Sequence, residues 1–453
     1  MKKFIITLFA LVLLSIPAYA FEAAVPQFDV YANGMKLEHK NTEYPLLVYK
    51  DITYFPMTYD YVRMLGMTSS WVDGKFYLSF CPGSYDWPTP EWAPEAKTIE
   101  GEIAAYPIYV NGKLIDNSKE EYPIFNARGI TYFPLTWRFA TEEFGMELAW
   151  DGYLAIECGG GDFGHSISRI EDGRIYFGAT IYNATLAKDY IGSFSYEWAG
   201  ERNYIFDTNA RTVVPDDGET EWDEDGVNIY EKLKVEGNYL TYDGTAIADV
   251  SGFVTGEAQR EKPLGINVYG TEYELGGGKS IFFARLNYLY EFAVPHPHGI
   301  NLWFIKDGES FTPVEMDQTG FFVKAEYING VNWLCLFDQV SDGWEDYGPY
   351  RYSLYTIAKD NSLVRITDSD HDNIVLLGQI GGKPVVKATW QSEYGRVSAV
   401  NDGYFTVEAD GSLNRIYPYV FCDDAAVVND RLYLLIWRNN TIVDVLSGEE
   451  ISF

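Results

Sequence analysis

The five residues ITYFP occur twice in the chain, at 52–56 and again at 130–134, an offset of 130 − 52 = 78 residues. Holding that offset extends the match: FDVYANGMKLE at 28–38 aligns with YPIYVNGKLID at 106–116, and Tyr44-Pro45 with Tyr122-Pro123. Past the proline, MTYDYVRMLGM aligns with LTWRFATEEFGM after one inserted residue, Trp71 aligns with Trp150, and the copies end at Cys81 and Cys158. Such a duplication constrains the fold more than composition does, because each copy must be the same small unit of structure.

The residues of the unit say what it is. Asn33-Gly34 and Asn111-Gly112 are the strongest short hairpin signal, since both central positions of a type I′ turn need positive φ. The alternation of Ile52, Tyr54 and Pro56 fits a half-buried strand, after which the proline presets φ for the first turn of a helix that Gly66 or Gly145 closes. KFYLSF and YLAIE supply a last strand. Each copy is therefore predicted to be a β-β-α-β unit, too small to bury a large core alone.

The order VNG, ITYFPL, a short helix ending in glycine and a Trp-Asp corner resembles the copper amine oxidase N-terminal-like domain, the stalk module of secreted proteins of Gram-positive bacteria. The resemblance covers 28–81 and 106–158, about a quarter of the chain, with 82–105 as a Pro-rich linker. It implies an extracytoplasmic scaffold and no oxidase chemistry of its own. An amine oxidase would need a cofactor tyrosine followed by an acid, yet Tyr204, Tyr239 and Tyr288, each preceded by Asn, are followed by Ile205, Leu240 and Leu289. His296-Pro297-His298 has the spacing of a copper pair with only His371 downstream as a third ligand, so amine oxidase activity is not expected and no cofactor is required.

After Gly159-Gly160-Gly161 the pattern changes to short β-rich runs broken by Asp-Gly, Asn-Gly and Gly-Gly. LYTIAKDNSLVRI at 354–366 matches YFTVEADGSLNRI at 404–416 with a shift of 50. Two apolar runs precede each copy, giving four strands per unit, the signature of a β-propeller blade. Second-strand runs begin at 174, 238, 288, 333, 384 and 431, which counts six blades over 165–453. This half resembles the six-bladed propellers of bacterial secreted proteins of YWTD appearance. The signature tetrapeptide itself is absent, so five or seven blades stay open. The 36 Tyr, 27 Phe and 12 Trp suit strands and the packing between blades.

MKKFIITLFALVLLSIPAYA reads as a cleaved secretory signal over 1–20: two lysines, an apolar run too short to span a membrane, and small residues at Ala18 and Ala20. The net charge of −32 becomes −32 − 2 = −34 once Lys2 and Lys3 leave, a field that disfavours nucleic acid and anionic membrane as partners. The expected location is secreted or envelope-associated. Four cysteines allow three pairings. Cys81 and Cys158, at matching ends of the two units, are the first candidates for a disulfide, and Cys335 with Cys422 the second. Asp368, Asp370 and Asp372 alternate as calcium ligands do, although Gln379 stands where such a loop ends in glutamate. No nucleophile elbow, phosphate loop or zinc motif occurs. Two functions follow. The first is a binding or scaffold protein whose propeller recognises a protein, peptide or glycan; the alternative is an extracellular hydrolase or lyase whose site is assembled from several blades.

Overall fold

The computed structural model describes residues 20–81, 91–158, 165–216, 227–254, 265–289, 299–314, 321–339, 350–368, 371, 373–389, 401–436 and 440–453. Strands dominate throughout. No helix among the described residues is long and apolar enough to cross a membrane.

In the first copy, β1 (Ala20–Ala24) precedes the Asn-Gly hairpin of β2 (Val30–Ala32) and β3 (Met35–Lys36). A second hairpin, β4 (Leu47–Tyr49) and β5 (Ile52–Pro56), leads to α1 (Tyr59–Met64), β6 (Met67–Val72) and β7 (Lys75–Phe80). The second copy repeats this as β8 (Thr98–Ile103), β9 (Ile108–Val110), β10 (Lys113–Ile115), β11 (Phe125–Ala127) and β12 (Ile130–Pro134). A helical turn over Arg138–Glu143 then precedes β13 (Met146–Trp150) and β14 (Leu154–Cys158). Positive φ at Asn33, Gly34, Asn111 and Gly112 gives both hairpins the turn their sequence calls for. The unit is longer than its alignment, because β1 and β8 also lie 78 residues apart. Residues 82–105 are thus more than a linker, since they carry β8.

The two copies are intertwined rather than set in tandem. Strands β1, β4, β5, β12, β11 and β8 close into one barrel, and at its seam Phe55 of β5 lies opposite Phe133 of β12. These are the same position of the repeat, so a local twofold axis passes between them. On either side of the barrel the copies exchange strands: β7 pairs in parallel with β9, and β14 in parallel with β2. Asn111 Oδ1 accepts the Phe80 N–H at 2.9 Å, and Asn33 Oδ1 accepts the Cys158 N–H at 2.8 Å. Trp71 packs edge-on against Tyr106 and Trp150 against Phe28, so each corner tryptophan grips the other copy.

This exchange explains ITYFP. The segment is not half-buried but buried on both faces, with Tyr54 and Tyr132 inside the barrel against Phe125, and Phe55 and Phe133 in the outer core with Phe139 and Phe144. Pro56 ends β5 rather than opening the helix, which starts three residues later behind Thr58. The single inserted residue of the second copy is absorbed as a π turn, where Phe144 N–H reaches Phe139 O five residues back.

Among the described residues, the remaining chain forms six antiparallel sheets in chain order, whose strands fall within 165–216, 233–249, 265–314, 321–366, 373–418 and 424–452. All have four consecutive strands except the second, which has three, and the third carries an extra edge strand, Val227–Asn228. The described residues of the six runs read from the sequence lie on the second of the consecutive strands of their sheets, the run at 288 through Tyr288 and Leu289 alone. From the second sheet onward each packs on the next through an apolar layer, for example Ile281 and Ile305 on Leu334 and Leu336, or Val385 and Tyr404 on Leu432 and Leu434. The last sheet packs on the first, Tyr433 and Ile442 against Phe177 and Phe206. Turn residues stitch the same joints: Asn329 Nδ2 donates to Gly382 O at 2.8 Å, and Asn429 Nδ2 to Thr208 Oγ1 at 3.1 Å.

Candidate functional site

The two Asn-Gly turns are where the intertwined pair meets the six sheets. At Gly112 a Cβ would sit 3.3 Å from Pro418 and 3.4 Å from Val420, while Phe80 meets Phe421 edge-on and Lys113 pairs with Glu450 at 2.5 Å. At the other turn, a Cβ on Gly34 would lie 2.4 Å from Ser193 Oγ. Ser193 belongs to the tip of a long hairpin of the first sheet, Arg174–Leu186 and Phe194–Asp207, whose outer half pairs with neither flanking strand. That arm is held by Gly192, packed on Tyr31, and by Phe194 N–H donating to Glu157 Oε2 at 3.3 Å.

Beside the first of these contacts lies a cleft of about 260 Å³. One wall comes from the exchanged strands, where Tyr77 of β7 and Tyr109 of β9 are direct cross-strand partners with rings stacked at 4.9 Å and 13°. The facing wall comes from the fifth sheet: Arg415, Pro418 and Tyr419. Lys387 stands 5.6 Å from the centre of the Tyr419 ring. The Tyr419 N–H donates to the carbonyl of Asp402, whose side chain is wholly buried.

The fold aims Arg415 at the cleft through two local departures from its repeat partner. In the fourth sheet Arg365 pairs in regular register and Nη2 donates to Ser353 Oγ at 3.0 Å. Fifty residues on, the place of Ser353 is taken by Gly403, and the register slips between Tyr404 and Phe405, a bulge that redirects the outer strand. A Cβ at Gly403 would lie 2.4 Å from Tyr417 O, so glycine is what lets the outer strand approach there, with Arg415 Nε 3.1 Å from the same point. Arg415 stays exposed, and partial burial of its guanidinium lowers its pKa, outweighing the opposing pull of Asp402 and Tyr77.

The residues singled out from the sequence fall elsewhere. Asp368 Oδ1 lies 2.8 Å from His371 Nδ1, while Asp370 and Asp372 lie outside the described residues, as do His296 and His298. His371 is buried edge-on against Phe405, with Nε2 3.1 Å from Asn401 O, so both its ring nitrogens are engaged and it clips two loops together. Among the described residues no three or more His, Cys, Asp or Glu are grouped to hold a metal ion.

No disulfide joins Cys81 and Cys158, the bridge expected from the sequence; all four cysteines are buried thiols. The strands that end at these residues lie in different sheets, each beside the other copy's hairpin, rather than side by side. The position matching Cys158, opposite the Met that opens the preceding strand, is Phe80 and not Cys81. Burial raises the thiol pKa of Cys158 and of Cys422.

Sequence reading missed Tyr77, Tyr109, Arg415 and Tyr419. Arg415 was visible as a repeated position, and the substitution of Gly403 for Ser353 was the signal that its role differs. No protein family, no curated protein and no solved structure matches the chain.

Proposed function

We propose that the chain is a secreted or cell-envelope binding protein in which a pair of stalk modules is clasped to a β-propeller, and that ligand is held in the cleft between them. The propeller reading is supported by the sequence of apolar joints that returns from the sixth sheet to the first. That closing joint carries Asp424 Oδ2, which accepts the Ile167 N–H at 2.8 Å, and Asp444, paired with Arg211 at 2.8 Å. The stalk reading is supported by the two copies of one unit and the twofold axis that relates them.

The observation that carries the binding role is the wall composition of the cleft: stacked tyrosines facing a positioned arginine. Ligand sites combine apolar surface with a few convergent polar groups in this way, whereas the buried, doubly engaged His371 offers no base to a substrate. The test is a thermal melt of the purified protein against cell-wall glycans, plant polysaccharides and peptides, with released products assayed in the same wells. A ligand at 100 times its Kd adds about 2.7 kcal/mol of stability. Stabilisation without product supports the binding role, while time-dependent product overturns it in favour of a hydrolase or lyase.

A further inference from the structure

We infer that the arm of the first sheet is a pH-operated latch: its tip sits over a facing pair of carboxylates, Glu147 and Glu157, so that it closes on the sheet β13-β14-β2-β3 in acid and releases as pH rises. The latch is independent of what the cleft binds.

The repeat shows that the pair belongs to the seat of the arm rather than to the fold of the unit. Glu147 and Glu157 are direct cross-strand partners, and the same two positions of the other copy hold Thr68 and Ser79, partners in the same register. Thr opposite Ser is a favourable neutral pair, whereas like charges directly opposite one another destabilise a sheet. The carboxylates replace that pair on the sheet that receives the arm, where the Phe194 N–H donates to Glu157 Oε2 at 3.3 Å. Both are half-buried, and among the described residues no cation pairs with either.

The other titratable groups around the pair are few. Tyr153, Tyr31 and Lys36 share its face of the sheet, with Lys36 held by Asp29 at 2.8 Å. Cys158, next along β14, is a buried thiol, and Lys188, Asp189 and Tyr190 at the tip of the arm are exposed.

The base of the arm is a hinge. The register slips between Ile181 and Tyr182, leaving Ala199 as an extra residue beside Gly200 at φ 134°, and beyond this bulge neither flanking strand pairs with the arm. The outer half is therefore held by its tip.

Docking covers the pair and undocking returns it to water. Burial holds both carboxyls above the usual glutamate range, and for Glu157 it outweighs the opposing pull of the Phe194 N–H, with the charge of Glu147 adding to the rise. The docked state thus takes up protons. An equilibrium coupled to one proton shifts by up to about 10-fold per pH unit, here toward docked on the acid side.

A nitroxide spin label on S195C, an exposed position of the arm, reads docking through its mobility, the native thiols being buried. Between about pH 7.5 and about pH 5 the docked-to-free ratio is expected to rise at least about 5-fold. In the same background G192A, which removes the fit on Tyr31, should read free throughout. E147Q and E157Q keep the shape of the seat without its charge and should read docked at both ends, with a flat profile. Circular dichroism at each pH checks that the sheets persist. A ratio in the parent that is flat or falls in acid overturns the latch, and so does a slope that survives in both E147Q and E157Q.

Discussion

Asn111 tests whether the copies are held together by their exchanged turns. Its side chain is buried and spans the exchange: Oδ1 accepts the buried Phe80 N–H at 2.9 Å, and Nδ2 donates to Glu143 O at 2.8 Å. Replacing it with alanine leaves a buried N–H and a carbonyl without partners, each worth about 1–3 kcal/mol. It also places a Cβ-bearing residue without a local hydrogen bond at φ 47°, a further ~1 kcal/mol. N111A is therefore expected to lose about 3–7 kcal/mol, and N111G about 1 kcal/mol less, since glycine removes the backbone strain but not the lost bonds. Asn33 makes the equivalent bonds with a longer Nδ2 contact of 3.3 Å and is only half-buried, so N33A should cost less than N111A. Urea unfolding, read as the shift in midpoint at constant slope, measures all three. A loss under about 0.5 kcal/mol for N111A, the level of an ordinary surface change, would refute the clasp.

Three further perturbations probe other joints. His39 is buried, with Nε2 facing Phe28 O at 3.4 Å, and burial pulls its pKa down to about 4. Because the folded pKa is depressed below the unfolded value of about 6.5, stability present above pH 6.5 falls by about 3 kcal/mol as pH drops to 4, and H39Q should flatten urea-midpoint curves over that window. Asp444 is wholly buried; burial raises its pKa, but hydrogen bonds from Arg211 and Arg431 outweigh this and hold it below the usual carboxylate value. D444N should destabilise the closing joint by about 3 kcal/mol in urea, and should lose the acid-sensitive part of stability that the parent gives up as pH falls below about 4. At Gly192, φ is 80° and a Cβ would lie 2.3 Å from Tyr31, so G192A should undock the arm and speed proteolysis between 187 and 193 several-fold. G237A, with φ 62° and open space around it, should leave that cleavage unchanged.

Local structure was legible wherever a residue type has one dominant backbone use. Asn33-Gly34 and Asn111-Gly112 announced hairpins, Gly66 and Gly145 closed helical turns with positive φ, and the second-strand runs landed on strands. Pairing was not legible, because a period of two says which face of a strand is buried and nothing about its neighbour. Hence β7 and β14 were assigned to their own copies, and Cys81 was matched to Cys158 when the register matches Phe80 instead. ITYFP looked half-buried because its alternation was judged against one core, whereas Tyr54 and Phe55 serve two. The cleft was invisible for a related reason. Tyr77, Tyr109 and Arg415 are ordinary strand residues that become a site only when strands more than 300 residues apart meet, since 415 − 109 = 306.

The exchange of strands also fixes the order in which the molecule can be completed. Phe76 pairs with Ile108 across 108 − 76 = 32 residues, while Val30 waits for Leu154, 154 − 30 = 124 residues away. Loop-closure entropy alone favours the shorter pairing by about 1 kcal/mol. For a chain delivered from its N-terminus the difference is absolute, because β14 does not yet exist when β2 emerges. Within the intertwined pair, the first hairpin is therefore made early and finished last. Until residue 158 has followed it out, Val30, Ala32 and Leu37, all buried in the end, have no partner to cover them. A chain interrupted in the second copy is left with an open barrel and an unpaired edge on the first, a form suited to association with its own kind.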